Sequence, residues 1–172
     1  MEFQDVVRRR RMVRRYHPDR PVPPEVVDRI VENGLRAPSA GFSQGWGFLI
    51  LDTPADVARF RDAVRPDVEP ERWFAANVHA PLLIVPHSHK DAYLAALLML
   101  LTAVDADLGA CFFGIPPDRV GRFREAFGVP PQFAPIGAIS VGYGDEPPRD
   151  LRHLRRPSTD VVHRGRWSQP DR

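Results

Sequence analysis

From Ala92 to Val104 the chain carries no charged residue, and the run is closed by Asp91 on one side and Asp105 on the other. It falls well short of the ~20 residues that a membrane-spanning helix needs. Between Leu94 and Val104 it is apolar nearly all the way round, so as a helix it has no face that belongs in water. Such a helix sits at the centre of a fold or in a contact between subunits, and a subunit contact is the placement expected here.

The remaining sequence supplies short elements to pack around it. Phe3 to Arg11 reads as a short helix with Phe3, Val6 and Val7 on one face. Pro24 opens a second helix at a favourable N1 position, with Val27, Ile30, Val31 and Leu35 on one stripe, and Pro38 stops it. Trp46 to Leu51 is apolar throughout, as expected for a strand covered on both faces. Thr53-Pro54 is an N-cap followed by proline, opening a helix to about Val64. A short helical segment is expected from Glu71 to Asn77, and further strands at Pro81–Pro86, Leu108–Gly114 and Ile136–Tyr143. Pro117 to Phe127 is an amphipathic helix. Strands and helices alternate without regular βαβ phasing, so the fold class is α+β with a small sheet. The 172 residues, 43% of them hydrophobic, suffice for one domain burying roughly 70% of its unfolded surface. A single domain over 1–172 is expected, with the polar stretch 145–172 as a C-terminal arm that Leu151, Leu154, Val161, Val162 and Trp167 could pin to another surface.

Charge and cysteine usage narrow the function. The formal net charge is +2 and Lys90 is the only lysine, so the positive charge is nearly all arginine, which grips phosphate and carboxylate bidentately. Cys111 is the only cysteine, excluding an intrachain disulfide and a thiolate metal cluster. The N-terminus runs into arginines, with no secretory signal pattern, and a cytoplasmic protein is expected. His87-Ser88-His89, with His79 nearby, lacks a third ligand at metal-binding spacing and reads as a loop pair. No G-x-S-x-G, Walker A or G-x-G-x-x-G pattern is present.

Two stretches stand out. Arg8 to Arg15 could be a solvated charge run, a nucleic-acid patch or a phosphate clamp; balanced net charge and the lack of interleaved aromatics weigh against nucleic acid. Ala37-Pro38-Ser39-Ala40-Gly41-Phe42-Ser43-Gln44-Gly45-Trp46 is small, polar and glycine-rich. It reads either as an ordinary connection or as a floor on which a flat ligand can lie against backbone.

Arg10-Arg11-Met12-Val13-Arg14-Arg15-Tyr16, Pro21-Val22-Pro23 and the Ala37–Trp46 loop resemble, in order and spacing, the opening of the FMN-dependent nitroreductase family. Further matches are Leu108–Gly114, Pro135-Ile136-Gly137, Arg155-Arg156-Pro157 and Val161–Trp167, so the likeness covers most of the chain, and it is closest to compact members sharing the same loop. It implies a nitroreductase-like fold, a small mixed or antiparallel sheet flanked by helices, in an intertwined homodimer with no membrane or nucleic-acid partner. It further implies that Arg10 and Arg155 bind the FMN phosphate and that Arg11 and Met12 make backbone and ribityl contacts. Arg14 would lie near flavin N1 and the C2 carbonyl. Pro38, Ser39 and Ala40, with Phe42 beside them, would reach the same flavin from the partner, and the backbone of Phe113 and Gly114 would lie near N5 and O4. No side-chain acid or base is implied, and no metal.

The implied activity is ping-pong transfer from NAD(P)H through flavin to a nitroaromatic, quinone or similar small electron acceptor. Deazaflavin in place of FMN stays open. Three departures accompany the resemblance: Phe42 where many members have Asn, Met12 where Ser is usual, and a passage from Val85 almost straight into Leu94 where relatives insert a loop and helix over the flavin. That last departure leaves as an alternative a flavin-binding or sequestering protein without turnover.

Overall fold

The structure, a computed structural model, describes residues 1–67, 77–87, 91–147 and 152–167. Its helices are α1 (Phe3–Arg9), α2 (Pro24–Leu35), α3 (Pro54–Val64), α4 (Ala92–Asp105) and α5 (Val120–Phe127). Its strands are β1 (Gly47–Leu51), β2 (Leu82–His87), β3 (Gly109–Phe113) and β4 (Ala138–Gly142). The helical segment expected from Glu71 to Asn77 lies, except for Asn77, outside the described residues.

The boundaries follow local chemistry. Thr53 accepts a hydrogen bond from the Asp56 amide at 3.1 Å and so caps α3 ahead of Pro54. Gly128, with φ of 62°, ends α5 in the left-handed conformation that glycine adopts without a Cβ penalty. Pro117–Arg119 forms a separate 3-10 turn ahead of α5, so the helix expected to start at Pro117 starts at Val120.

The strands form one antiparallel sheet in the order β1-β2-β4-β3. Alternate β2 residues face opposite layers. Leu83 and Val85 join Phe60 of α3 and Phe123 of α5, while Leu82 and Ile84 join Ile30 of α2 and Met99 of α4. The sheet is thus covered by helices on both sides, and this α+β layering is the expected class. β1 is an edge strand covered on both faces, with Leu49 and Leu51 packing into one layer and Phe48 and Ile50 into the other, although only Leu51 is fully buried. An unbroken apolar run is compatible with either an edge or a central strand.

Helix α4 divides its apolar surface. Ala95, Ala96, Met99 and Ala103 are buried against the sheet and α2, whereas Tyr93, Leu94 and Leu97 are exposed on the other side. It serves as a central helix and presents an uncovered apolar face on its other side. Among the described residues beyond Pro147 are the 3-10 turns Arg152–Leu154 and Ser158–Asp160, and Leu154, Val161, Val162 and Trp167 are exposed.

Candidate functional site

The arginine segment is bound into the edge of the sheet. Met12 forms a parallel bridge with Ala110 of β3, the Val13 amide donates to the Ala110 carbonyl at 3.0 Å, and Tyr16 bridges Gly144. The His17 amide donates to the Tyr143 carbonyl at 3.0 Å and the Asp145 amide to the Arg15 carbonyl at 2.9 Å. Gly109 makes this approach feasible, since a Cβ there would lie 2.7 Å from Val13 Cβ. Beneath the segment, buried Tyr16 donates its hydroxyl to the Val13 carbonyl, and its oxygen lies 2.8 Å from Ser140 Oγ, which reaches Asn77 Oδ1 at 3.1 Å. Burial raises the Tyr16 pKa, so the hydroxyl remains a donor.

The arginines differ in their commitments. Arg11 donates to the Glu146 carbonyl at 3.0 Å and to the Pro147 carbonyl at 3.4 Å, with the Glu146 carboxylate 3.8 Å away. Its guanidinium is satisfied within the chain, leaving its backbone for the contact implied by the resemblance. The Arg10 and Arg14 guanidinium groups have no hydrogen bond or ion pair among the described residues. Burial pushes the Cys111 thiol pKa up, while Arg14 and Arg10 pull it down. Two unspent guanidinium groups on a fixed backbone suit an anionic ligand such as a flavin phosphate.

The other predicted residues lie elsewhere. Phe113 is buried edge-on against Phe60, so its backbone and not its ring is what a ligand could meet; Gly114 beside it faces open space. The Phe113 carbonyl is approached closely by Gly137, where a Cβ would come within 2.7 Å. In the Ala37–Trp46 loop, Ala37 and Trp46 are buried against Ala92 and Ala95 at the start of α4. The loop's Ala40 amide donates to Asp91 Oδ2 at 2.9 Å and its Gln44 amide to Ser39 Oγ at 3.1 Å. Gly41, Phe42 and Gln44 all have positive φ, at 59°, 55° and 46°, and Phe42 is 80% exposed. Two non-glycine residues in the left-handed region mark a strained loop. Pro38 leads into it, and Arg155 lies in the exposed tail.

Arg10, Arg11, Met12 and Arg14 share one segment bound to the edge of β3, and the contacts that anchor this segment and the loop fall on different elements. Arg9 pairs with Asp107 at 2.7 Å, just beyond the C-terminal end of α4, whereas the loop is tied to Asp91 at its N-terminal end. The 14 residues of α4 put about 20 Å between these ends. A groove of about 640 Å³ between α3 and α5, lined by Ala58, Arg59, Asp62 and Arg122 among others, contains none of the predicted residues. Glu146, Asp91 and the Tyr16–Ser140–Asn77 cluster were not identified from the sequence, where nothing sets them apart from ordinary polar residues.

The fold is an arginine-edged antiparallel sheet clad in helices and carrying a strained small-residue loop. The chain belongs to the nitroreductase family: the model of that family matches residues 7–86 and 79–143. A protein of Methanothermobacter thermautotrophicus described as NADH dehydrogenase/NAD(P)H nitroreductase is 28% identical over 178 residues, covering 97% of this chain and 88% of the relative. An FMN-dependent nitroreductase from Clostridium difficile R20291 superposes with a TM-score of 0.79 at 25% identity, over 94% of this chain and 98% of that one. A Desulfovibrio desulfuricans protein described as a nitroreductase and solved in complex with FMN shares the fold, with a TM-score of 0.72 at 24% identity, over 91% and 98%.

Proposed function

We propose that the chain is an FMN-dependent, NAD(P)H-using oxidoreductase that works as a homodimer and passes electrons to nitroaromatic, quinone or similar electron-poor acceptors. The observation that carries this is that the Arg10 and Arg14 guanidinium groups, on a backbone segment bound to the edge of β3 in a nitroreductase-family chain, have no hydrogen bond or ion pair among the described residues. Arg10, with Arg155, holds the phosphate; Arg14 faces the part of the ring where negative charge collects on reduction, favouring the reduced form electrostatically. Arg11 and Met12 offer backbone, and Phe113 with Gly114 present backbone at the other end of β3. Bound FMN supplies the hydride-accepting and electron-donating chemistry.

The separation along α4 supports the homodimer. The loop carrying Pro38, Ser39, Ala40 and Phe42 is tied to the N-terminal end of α4, whereas Arg9, next to Arg10, is tied just beyond its C-terminal end, and in this reading a second copy delivers its loop to the flavin. The exposed Tyr93–Leu97 face of α4 gives that copy an apolar surface to cover. Residues 1–172 act as one domain in this reading, with 145–172 as the embracing arm. A cytoplasmic location suits a chain whose one cysteine is a buried free thiol. Among the described residues, no helix is long and apolar enough to cross a membrane.

Release of the chromophore by denaturation, followed by anaerobic addition of NADPH to the yellow protein, tests the proposal. FMN release and bleaching are the expected results, and a colourless dimer that takes up no FMN sinks it. A second reading, flavin binding without turnover, draws on the short joint between β2 and α4, where only Ser88, His89 and Lys90 separate His87 from Asp91. That reading predicts tight FMN binding and no bleaching.

A further inference from the structure

One peptide unit in the arginine segment is held from both sides. Its carbonyl, that of Val13, accepts the Tyr16 hydroxyl, and its N–H, that of Arg14, donates to Glu146 Oε1 at 3.0 Å. One anchor comes from three residues along the segment and the other from the far end of the chain. Tyr16 is buried and backed by Ser140 and Asn77, both fully buried, and Glu146 lies 132 residues further along the chain. The flanking contacts, Met12 to Ala110 and Tyr16 to Gly144, pair the segment with its neighbours but leave this plane free to rock about its Cα–Cα axis. Such rocking changes the direction in which the Arg14 side chain leaves the backbone, and a long side chain amplifies a small angular change at its tip.

We infer that Tyr16 and Glu146 are positioning residues for Arg14: by clamping the Val13–Arg14 peptide on both edges, they aim its guanidinium at the flavin. This rests on the FMN reading above. It separates two properties that a merely structural role would move together. Binding of oxidised FMN depends mainly on the phosphate held by Arg10, whereas preference for reduced over oxidised flavin depends on where Arg14 points.

The experiment uses the FMN-loaded protein and two readouts, the dissociation constant of oxidised FMN and the midpoint potential of the bound flavin. Tyr16→Phe keeps the ring and removes the donor. The expected result is that affinity for reduced FMN falls about tenfold more than affinity for oxidised FMN, as for one lost hydrogen bond, and that the potential drops accordingly. An unchanged potential, or equal weakening of both forms alongside a lower Tm, overturns the inference. Glu146→Ala and Glu146→Gln form a second comparison that survives a poorly folding Tyr16 variant. Both remove the charge, and only glutamine keeps an acceptor for the Arg14 amide. Alanine should give the lower potential, and identical potentials overturn the inference. A wild-type protein that takes up no FMN overturns both this and the proposed function, whereas normal uptake with unmoved variants overturns this alone.

Discussion

The arginine segment and the Ala37–Trp46 loop are the two halves of the candidate site, and they are built in opposite ways. The segment from Met12 to Tyr16 is pinned to the sheet through Ala110, Tyr143, Gly144 and Glu146, over a buried hydroxyl cluster. The loop is held by Asp91, by its own Ser39 and by the burial of its two ends, while Phe42 stands out in a backbone conformation that disfavours it. A half that must present fixed cations benefits from rigidity paid for by the core. In the homodimer proposed above, a half delivered by the second copy needs its final shape only on arrival, so local strain is tolerable there.

The contrast is broken most severely at Gly109. Gly109→Ala drives a Cβ into Val13, which should cost about 1–3 kcal/mol by overpacking and detach the arginine segment. Urea denaturation and FMN titration should fall together, and an unaltered FMN affinity would show that the segment's seat on β3 is unimportant. Asp91→Ala should act on the other half, removing the acceptor of the Ala40 amide at a cost of about 1 kcal/mol. Hydrogen exchange should accelerate in the loop and not at Val13 or Arg14, and equal acceleration at both would erase the distinction. Phe42→Gly relieves a left-handed residue, a gain of about 1 kcal/mol offset in part by the extra entropy of glycine when unfolded. Chain stability should rise by a few tenths of a kcal/mol while FMN binding weakens, and loss of stability would mean that the ring already packs within its own subunit.

The mildest test changes only pH. His87 ends β2 opposite Gly47, just past the loop, and burial holds its pKa below the ordinary imidazole value of about 6.5. Its neutral form is favoured by folding, so its contribution is complete above that ordinary value and is lost as pH falls towards the lower folded value. The urea midpoint should drop between pH 7.5 and pH 5, and a His87→Gln variant should lose that part of the slope. A variant with the same slope as wild type would assign the effect elsewhere.

The comparison also marks what can be read from residue order. Helix α4, the proline-led α2 and α3, and the four strands follow from periodicity and end signals, all properties of neighbouring residues. The motifs place Arg10, Arg14 and Ser39 within a family pattern. The edge position of β1 is not legible in its residues, because nothing in Gly47 to Leu51 tells which strand will lie beside it. Leu35 was assigned to the buried stripe of α2, yet it is exposed at the helix's final turn. The grip of Glu146 on Arg14 and of Asp91 on Ala40 joins residues far apart in the chain, and a lone carboxylate carries no sign of the amide it will meet.

Cys111 is the lone thiol of the chain, buried in β3 directly under the arginine segment. It therefore serves as a built-in clock. A thiol reagent can reach the sulfur only when the sheet edge opens, so its labelling rate at neutral pH counts openings at the place where the cations are mounted. Saturating FMN should slow that clock if the cofactor bridges Arg10 and Arg14, and a rate indifferent to FMN would mean that the two arginines are already as still as they will become.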